Sequence, residues 1–136
     1  MLSWDEDRHA LGLPQMDDTH REFVALAGEL AQAGAEDFPS LFDTLLEHTR
    51  RHFDNEGELM RACRFPAIAE HEGEHQRVLG ELARIRRGLD EGRTIFARAY
   101  VTQGLPEWFA NHLATMDAAL AACLRRSAPA AQTAVR

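Results

Sequence analysis

Lysine is absent from the 136 residues, and all 15 basic side chains are arginines. That excludes a Schiff-base lysine, a lysine general base and the lysine of a phosphate-binding P-loop. Cysteine is scarce: Cys63 and Cys123 lie far apart, form no CxxC pair, and so suggest neither a thiol-redox motif nor a zinc knuckle. No apolar run approaches the roughly 18 residues of a membrane span, and Asp5, Glu6 and Asp7 stand where a secretory or transit segment would be basic. The expectation is a soluble cytoplasmic protein with reduced, buried thiols. Basic charge is in deficit too: 22 acidic side chains set the formal charge at -7, which argues against a nucleic-acid or anionic-membrane partner. Against these shortages stands one surplus, seven histidines in a chain long enough for one core.

Helix formers dominate and turn-type residues cluster at a few boundaries, which predicts an all-α domain. Residues 1–16 form an irregular arm. Asp17 or Asp18 caps a first helix that runs to about Ala33. Pro39 opens a second helix, to about Cys63; Pro66 fits the first turn of a third, to about Leu89; a fourth runs from Thr94 to near Arg126. Gly104 and Pro106 fall inside the fourth, so a kink or restart is expected there. The tail, residues 127–136, reads as disordered. Short turns between four helices predict an up-down-up-down antiparallel bundle, one domain over residues 1–126.

A helix turns about 100° per residue, which sorts the histidines by the face they share. His20 aligns with Met16, Phe23, Val24 and Ala27 on the apolar stripe of the first helix. On the second, His52 and Glu56 fall in the middle of the stripe of Leu41, Leu45, Leu59 and Cys63, whereas His48 lies roughly 70° off its centre. His71 and His75 align with Ile68, Leu79 and Leu82 on the third, with Glu70 and Glu74 on the solvated side. His112 aligns with Leu105, Trp108, Met116 and Cys123, but Asp117 lies about 140° away on an ideal helix. A local π-bulge would bring His112 and Asp117 onto one centre. A single inward histidine is ordinary. Five of them with an inward carboxylate leave a small core with too many polar groups to satisfy without a cation. Imidazole and carboxylate without thiolate suit iron, zinc, manganese or nickel.

These residues resemble the hemerythrin family. Its N-terminal Trp, its Gly-hydrophobic pair and its Asp three residues before a His are matched by Trp4, Gly12-Leu13, Asp17 and His20. Its HFxxE segment followed by Leu-Met falls on His52, Phe53, Glu56, Leu59 and Met60, its HxxxH on His71 and His75, and its Trp with HxxxxD on Trp108, His112 and Asp117. Gly57 departs from the family's frequent second Glu, and Pro106 lies close to the fourth-helix ligand. The resemblance implies two iron ions: His71, His75 and His112 on one, His20 and His52 on the other, with Glu56, Asp117 and an oxo or hydroxo group bridging them. Two octahedral irons offer about twelve positions. Those ligands leave one position open, on the iron of His20 and His52, where dioxygen would bind. Trp108, Phe53 and Leu105 are candidate walls of an oxygen pocket, and His9 and His48 read as surface residues.

The implied function is reversible dioxygen binding for storage, delivery or buffering, with an oxygen-consuming enzyme as a candidate partner and no enzymatic activity of its own beyond peroxidase-type side chemistry. A diiron oxidase or peroxidase would want more carboxylates, in paired ExxH motifs; here ExxH occurs only at Glu72 to His75. Nitric-oxide chemistry is compatible with the same site. A sensor would need an output module, for which this chain has no residues to spare. Cys63 and Cys123 should sit at one level on diagonal helices, too far apart for a disulfide, and are expected as free thiols.

Overall fold

The computed structural model describes the backbone of residues 2–135 and the side chains of residues 2–127. Its order is α1 (Glu6–His9), α2 (Pro14–Gln32), α3 (Phe38–Ala62), α4 (Ile68–Asp90) and a last long helix. That last helix is α5 (Thr94–Ala99), a π turn (Tyr100–Gly104), α6 (Leu105–His112), a second π turn (Leu113–Asp117) and α7 (Ala118–Val135). Helix α2 packs on α3, α3 on α4 and α4 on α5, and the first π turn returns to α2, closing an up-down-up-down bundle. Among the described residues no helix is long and apolar enough to cross a membrane.

Local chemistry sets the ends. Pro14 opens α2 directly after Leu13, earlier than an Asp17 cap would place it. Asp17 is instead buried within the first turn and accepts the N–H groups of Leu11 at 2.8 Å and Gly12 at 3.0 Å. The arm is thereby tied to the bundle, with Gly12 at φ 83° making the bend that a side chain would resist. Pro39 opens α3 as expected, but Pro66 lies in the turn before α4, which starts at Ile68. Gly92, at φ 85°, closes α4: the Arg93 N–H returns to Gly88 O and the Gly92 N–H to Leu89 O. The α7 helix runs past Arg126, to Val135; the disordered tail expected from Ser127 falls almost wholly where no side chain is described.

The expected restart at Gly104 and Pro106 takes the form of the first π turn. Proline removes one N–H, and the Leu105 N–H before it bonds five residues back, to Tyr100 O. The second π turn does the same below the site, with the Ala118 N–H on Leu113 O.

Two apolar clusters fill the bundle. One holds Phe23, Phe38, Phe42, Val78, Leu82, Val101 and Phe109, the other Met16, Met60, Phe65, Leu120 and Leu124. Burying each of these large side chains contributes about 1.5–3 kcal/mol. The inward polar residues lie between the clusters on all four long helices: His20 between Met16 and Phe23, Glu56 between Phe53 and Met60, His71 and His75 between Ile68 and Val78, Asp117 between Leu113 and Leu120. A polar layer thus divides the core.

Candidate metal centre

The helices bring His20, His52, Glu56, His71, His75, His112 and Asp117 into one buried layer, none more than 5% exposed. The two carboxylates organise it. Glu56 turns Oε2 toward His20 Nε2 at 3.3 Å and His52 Nε2 at 2.6 Å, and Oε1 toward His71 Nε2 at 3.4 Å and His75 Nε2 at 3.2 Å. Asp117 turns Oδ2 toward His20 at 3.3 Å, and Oδ1 toward His71 and His112, each at 3.2 Å. Each carboxylate therefore shows one oxygen to His20, with His52 added for Glu56, and the other to two of the three histidines His71, His75 and His112.

The triad side is not a hydrogen-bonded network. His71 Nε2, His75 Nε2, His112 Nε2, Glu56 Oε1 and Asp117 Oδ1 are buried close together, yet none has a hydrogen-bond partner among the described residues. Buried polar atoms left in this state are rare and costly, and here their lone pairs converge on a shared centre instead of on one another. The donor atoms of Glu56, His71, His75, His112 and Asp117 all lie within 4.8 Å of one another, as do those of His20, His52 and Glu56. The donor set, five imidazoles and two carboxylates without sulfur, fits iron in its chemistry.

The charges agree. Burial alone would raise the Glu56 and Asp117 pKa values, but the facing histidines hold both well below the usual carboxylate range. Burial likewise opposes the charged form of His20 and His71, and the facing carboxylates of Asp117 and Glu56 more than offset it, raising each to about 9. At His75 burial dominates and the pKa falls. Without a cation, protons on imidazole compensate the two carboxylates.

Asp117 reaches the layer through the second π turn. Its i→i+5 hydrogen bonding sets residues five apart one above the other, which an α turn does not. The π-bulge expected from the His112–Asp117 spacing is present.

The ring nitrogens on the outer side, Nδ1 of His20, His52, His71 and His112, have no acceptor among the described residues, so no hydrogen bond on that side orients these rings. Aromatic packing does. Phe53 stacks on His75 with centroids 3.7 Å apart, and Trp108 on His112 at 4.7 Å. Phe109 meets His20 edge-on at 5.7 Å, Phe65 meets His71 at 6.0 Å and Phe23 meets His52 at 6.3 Å. Of the expected pocket walls, Phe53 and Trp108 touch site histidines, and Leu105 is fully buried in the adjoining cluster. Sequence reasoning missed Phe23, Phe65 and Phe109 as ring contacts, although Phe23 and Phe109 sit one turn from His20 and His112.

Several residues differ from expectation. His9 is buried, not on the surface: its Nδ1 accepts the Asp5 N–H at 3.0 Å, and it packs between Trp4 and Phe109. Glu74 is no ordinary solvated charge, since it accepts the Trp108 indole N–H at 3.0 Å and pairs with Arg77. Cys63 and Cys123 are free thiols as expected, but the end of α3 and the first turns of α7 approach until the Cys123 thiol donates to Cys63 O at 3.2 Å. His48 stays out of the cluster, half-buried and paired with Glu22 at 3.1 Å.

A four-helix bundle with a buried histidine and carboxylate layer defines a metal-binding helical protein. The hemerythrin HHE cation binding domain matches residues 11–124, and the chain belongs to the hemerythrin family. It is 36% identical to the bacteriohemerythrin of Ralstonia nicotianae over 97% of this chain and 95% of that one. It is 25% identical to myohemerythrin-1 of Phascolopsis gouldii over 84% of this chain and 87% of that one. The fold matches a crystal structure of wild-type hemerythrin with a TM-score of 0.79 at 20% identity, covering 91% of this chain and 98% of the other.

Proposed function

We propose that this chain binds dioxygen reversibly at a non-heme diiron centre and acts as an oxygen store, carrier or buffer of the cytoplasm. The observation that carries the reading is the two-sided presentation of Glu56 and Asp117, one oxygen toward His71, His75 and His112, the other toward His20 and His52. Two carboxylates so placed would bridge two irons, with the triad holding one and the pair the other. Iron held by these residues would supply the reversible redox chemistry that dioxygen binding needs.

The protein's part is to keep that exchange reversible. Five histidines donate as neutral rings, and Glu56 and Asp117 bring two negative charges into a layer from which water is excluded. The clusters on either side pack the layer mostly with aliphatic and aromatic side chains. Phe53 and Trp108 fix His75 and His112 by contact, while Trp108 is itself held by Glu74. The pair side, with fewer histidines, is where dioxygen would enter.

This reading makes the chain a binder and not an enzyme. The extra carboxylate that an oxidase would use is not turned inward: the Glu72 side chain is 46% exposed and faces Arg61 at 3.5 Å. Anaerobic reduction followed by air exposure, with absorbance and metal analysis, tests the proposal. Two irons per chain and an oxygen-dependent band that vanishes on degassing are expected. Irreversible oxidation with peroxide turnover would favour the enzyme instead.

A further inference from the structure

Two thiols that the oxygen chemistry does not use meet beside the second apolar cluster. Cys63 caps the C-terminus of α3, its N–H bonded to Leu59 O at 3.1 Å, and Cys123 lies on α7 beyond Asp117. They come from positions 60 residues apart, and the Cys123 thiol donates to Cys63 O at 3.2 Å. Cys63 is half-buried and Cys123 buried. The backbone beneath Cys63 is held: the Phe65 N–H returns to Met60 O at 2.8 Å, with Arg64 in the left-handed conformation at φ 56°. The Cys123 sulfur thus already lies against the residue that carries the other thiol.

We propose that Cys63 and Cys123 are a redox-modification site that closes as a reversible disulfide in exchange with a small-molecule disulfide. Cys63, the reachable thiol, loses its proton and attacks one sulfur of the oxidant, forming a mixed disulfide and releasing one small thiolate. Cys123 then loses its proton and attacks the Cys63 sulfur, and the second small thiolate leaves. Two protein thiols are oxidised, one small disulfide is reduced, and two protons end on the two small thiols. Burial and the neighbouring Cys123 thiol push the Cys63 pKa up to about 11, against a smaller opposing effect of Arg126, so thiolate is scarce and the exchange is slow near neutral pH.

The bond would close a loop carrying α4, α5, both π turns and α6, and therefore His71, His75, His112 and Asp117. It would tie the end of α3, which carries Glu56, to α7, which comes directly after Asp117. Cross-linking across so long a loop restricts the unfolded chain and raises thermal stability.

The full chain, free of iron and in its native state, is incubated with oxidised glutathione; free thiols are counted and intact mass is measured. Two thiols falling to none, a mass lower by two hydrogens, a monomer on a non-reducing gel and a Tm raised by roughly 10 °C are expected, all reversed by dithiothreitol. Two persistent thiols, a stable glutathione adduct or a disulfide-linked dimer would each overturn the proposal. Cys123→Ser should stop at the glutathione adduct on Cys63, and a Cys123→Ser chain that takes up no glutathione would overturn Cys63 as the entry thiol. These readouts do not depend on iron, so failure here leaves the oxygen-binding reading standing.

Discussion

Helix α3 and the last long helix each bring an imidazole against a carboxylate, by different backbone routes. On α3, His52 and Glu56 stand four residues apart on a regular helix and meet at 2.6 Å. On the last helix, His112 and Asp117 stand five apart and meet at 3.2 Å because a π turn lies between them. The comparison teaches that the required object is the pair of facing groups. The backbone adjusts its hydrogen bonding to deliver that pair, and a regular helix is only the simpler means.

Removing either carboxylate should have the largest effect. Glu56→Ala and Asp117→Ala should each reduce bound iron from two per chain to one or none by metal analysis. Two irons retained in Asp117→Ala would mean that the π turn serves packing and not the metal. Next in size is the contrast within α3. His52→Ala should abolish the oxygen-dependent band, while His48→Ala, whose ring pairs with Glu22 outside the cluster, should leave it intact. Equal loss from both would overturn the choice of His52.

A smaller effect concerns pH in the chelated, iron-free protein. His20 and His71 are raised from 6.5 to about 9 in the fold, through Asp117 and Glu56 acting against burial. A raised folded pKa gives stability that is complete below pH 6.5 and lost as pH climbs through about 9. The Tm of the iron-free protein should therefore fall between those limits, whereas iron binding, which needs neutral rings, should tighten over the same range. A flat Tm would show that the carboxylates do not hold those protons. The smallest expected change is Trp108→Phe, which loses the bond to Glu74 and should cost about 1 kcal/mol in denaturant unfolding. Iron content should stay at two, because Trp108 touches His112 only through its ring face.

The part of the site legible in the sequence divides along the same line. His20, His52, Glu56, His71 and His75 lie on regular helices, where the rotation per residue says which face each shares. Asp117 cannot be placed by that rule, because the decision between an α and a π turn is made by tertiary contacts, and only the mismatch in spacing hints at it. His9 escapes it for a related reason. Its burial depends on the arm folding back, which Asp17 secures by taking the Leu11 and Gly12 N–H groups. The approach of Cys63 to Cys123 depends on how helix ends lean together, which no periodicity within one helix reports.

The second π turn can also be viewed as arithmetic on chain length. It holds one residue more than the same stretch of α-helix would need, and the surplus faces solvent, at Ala114 and Thr115. Deleting Thr115 would leave His112 and Asp117 four apart, still on one face, and would keep every residue of α7 in register. A deletion anywhere in α6 or early α7 would instead rotate the downstream residues by about 100° and bury the wrong side chains. The helix that looks most irregular is thus one that can be shortened by a residue, at its π turn, without moving the site.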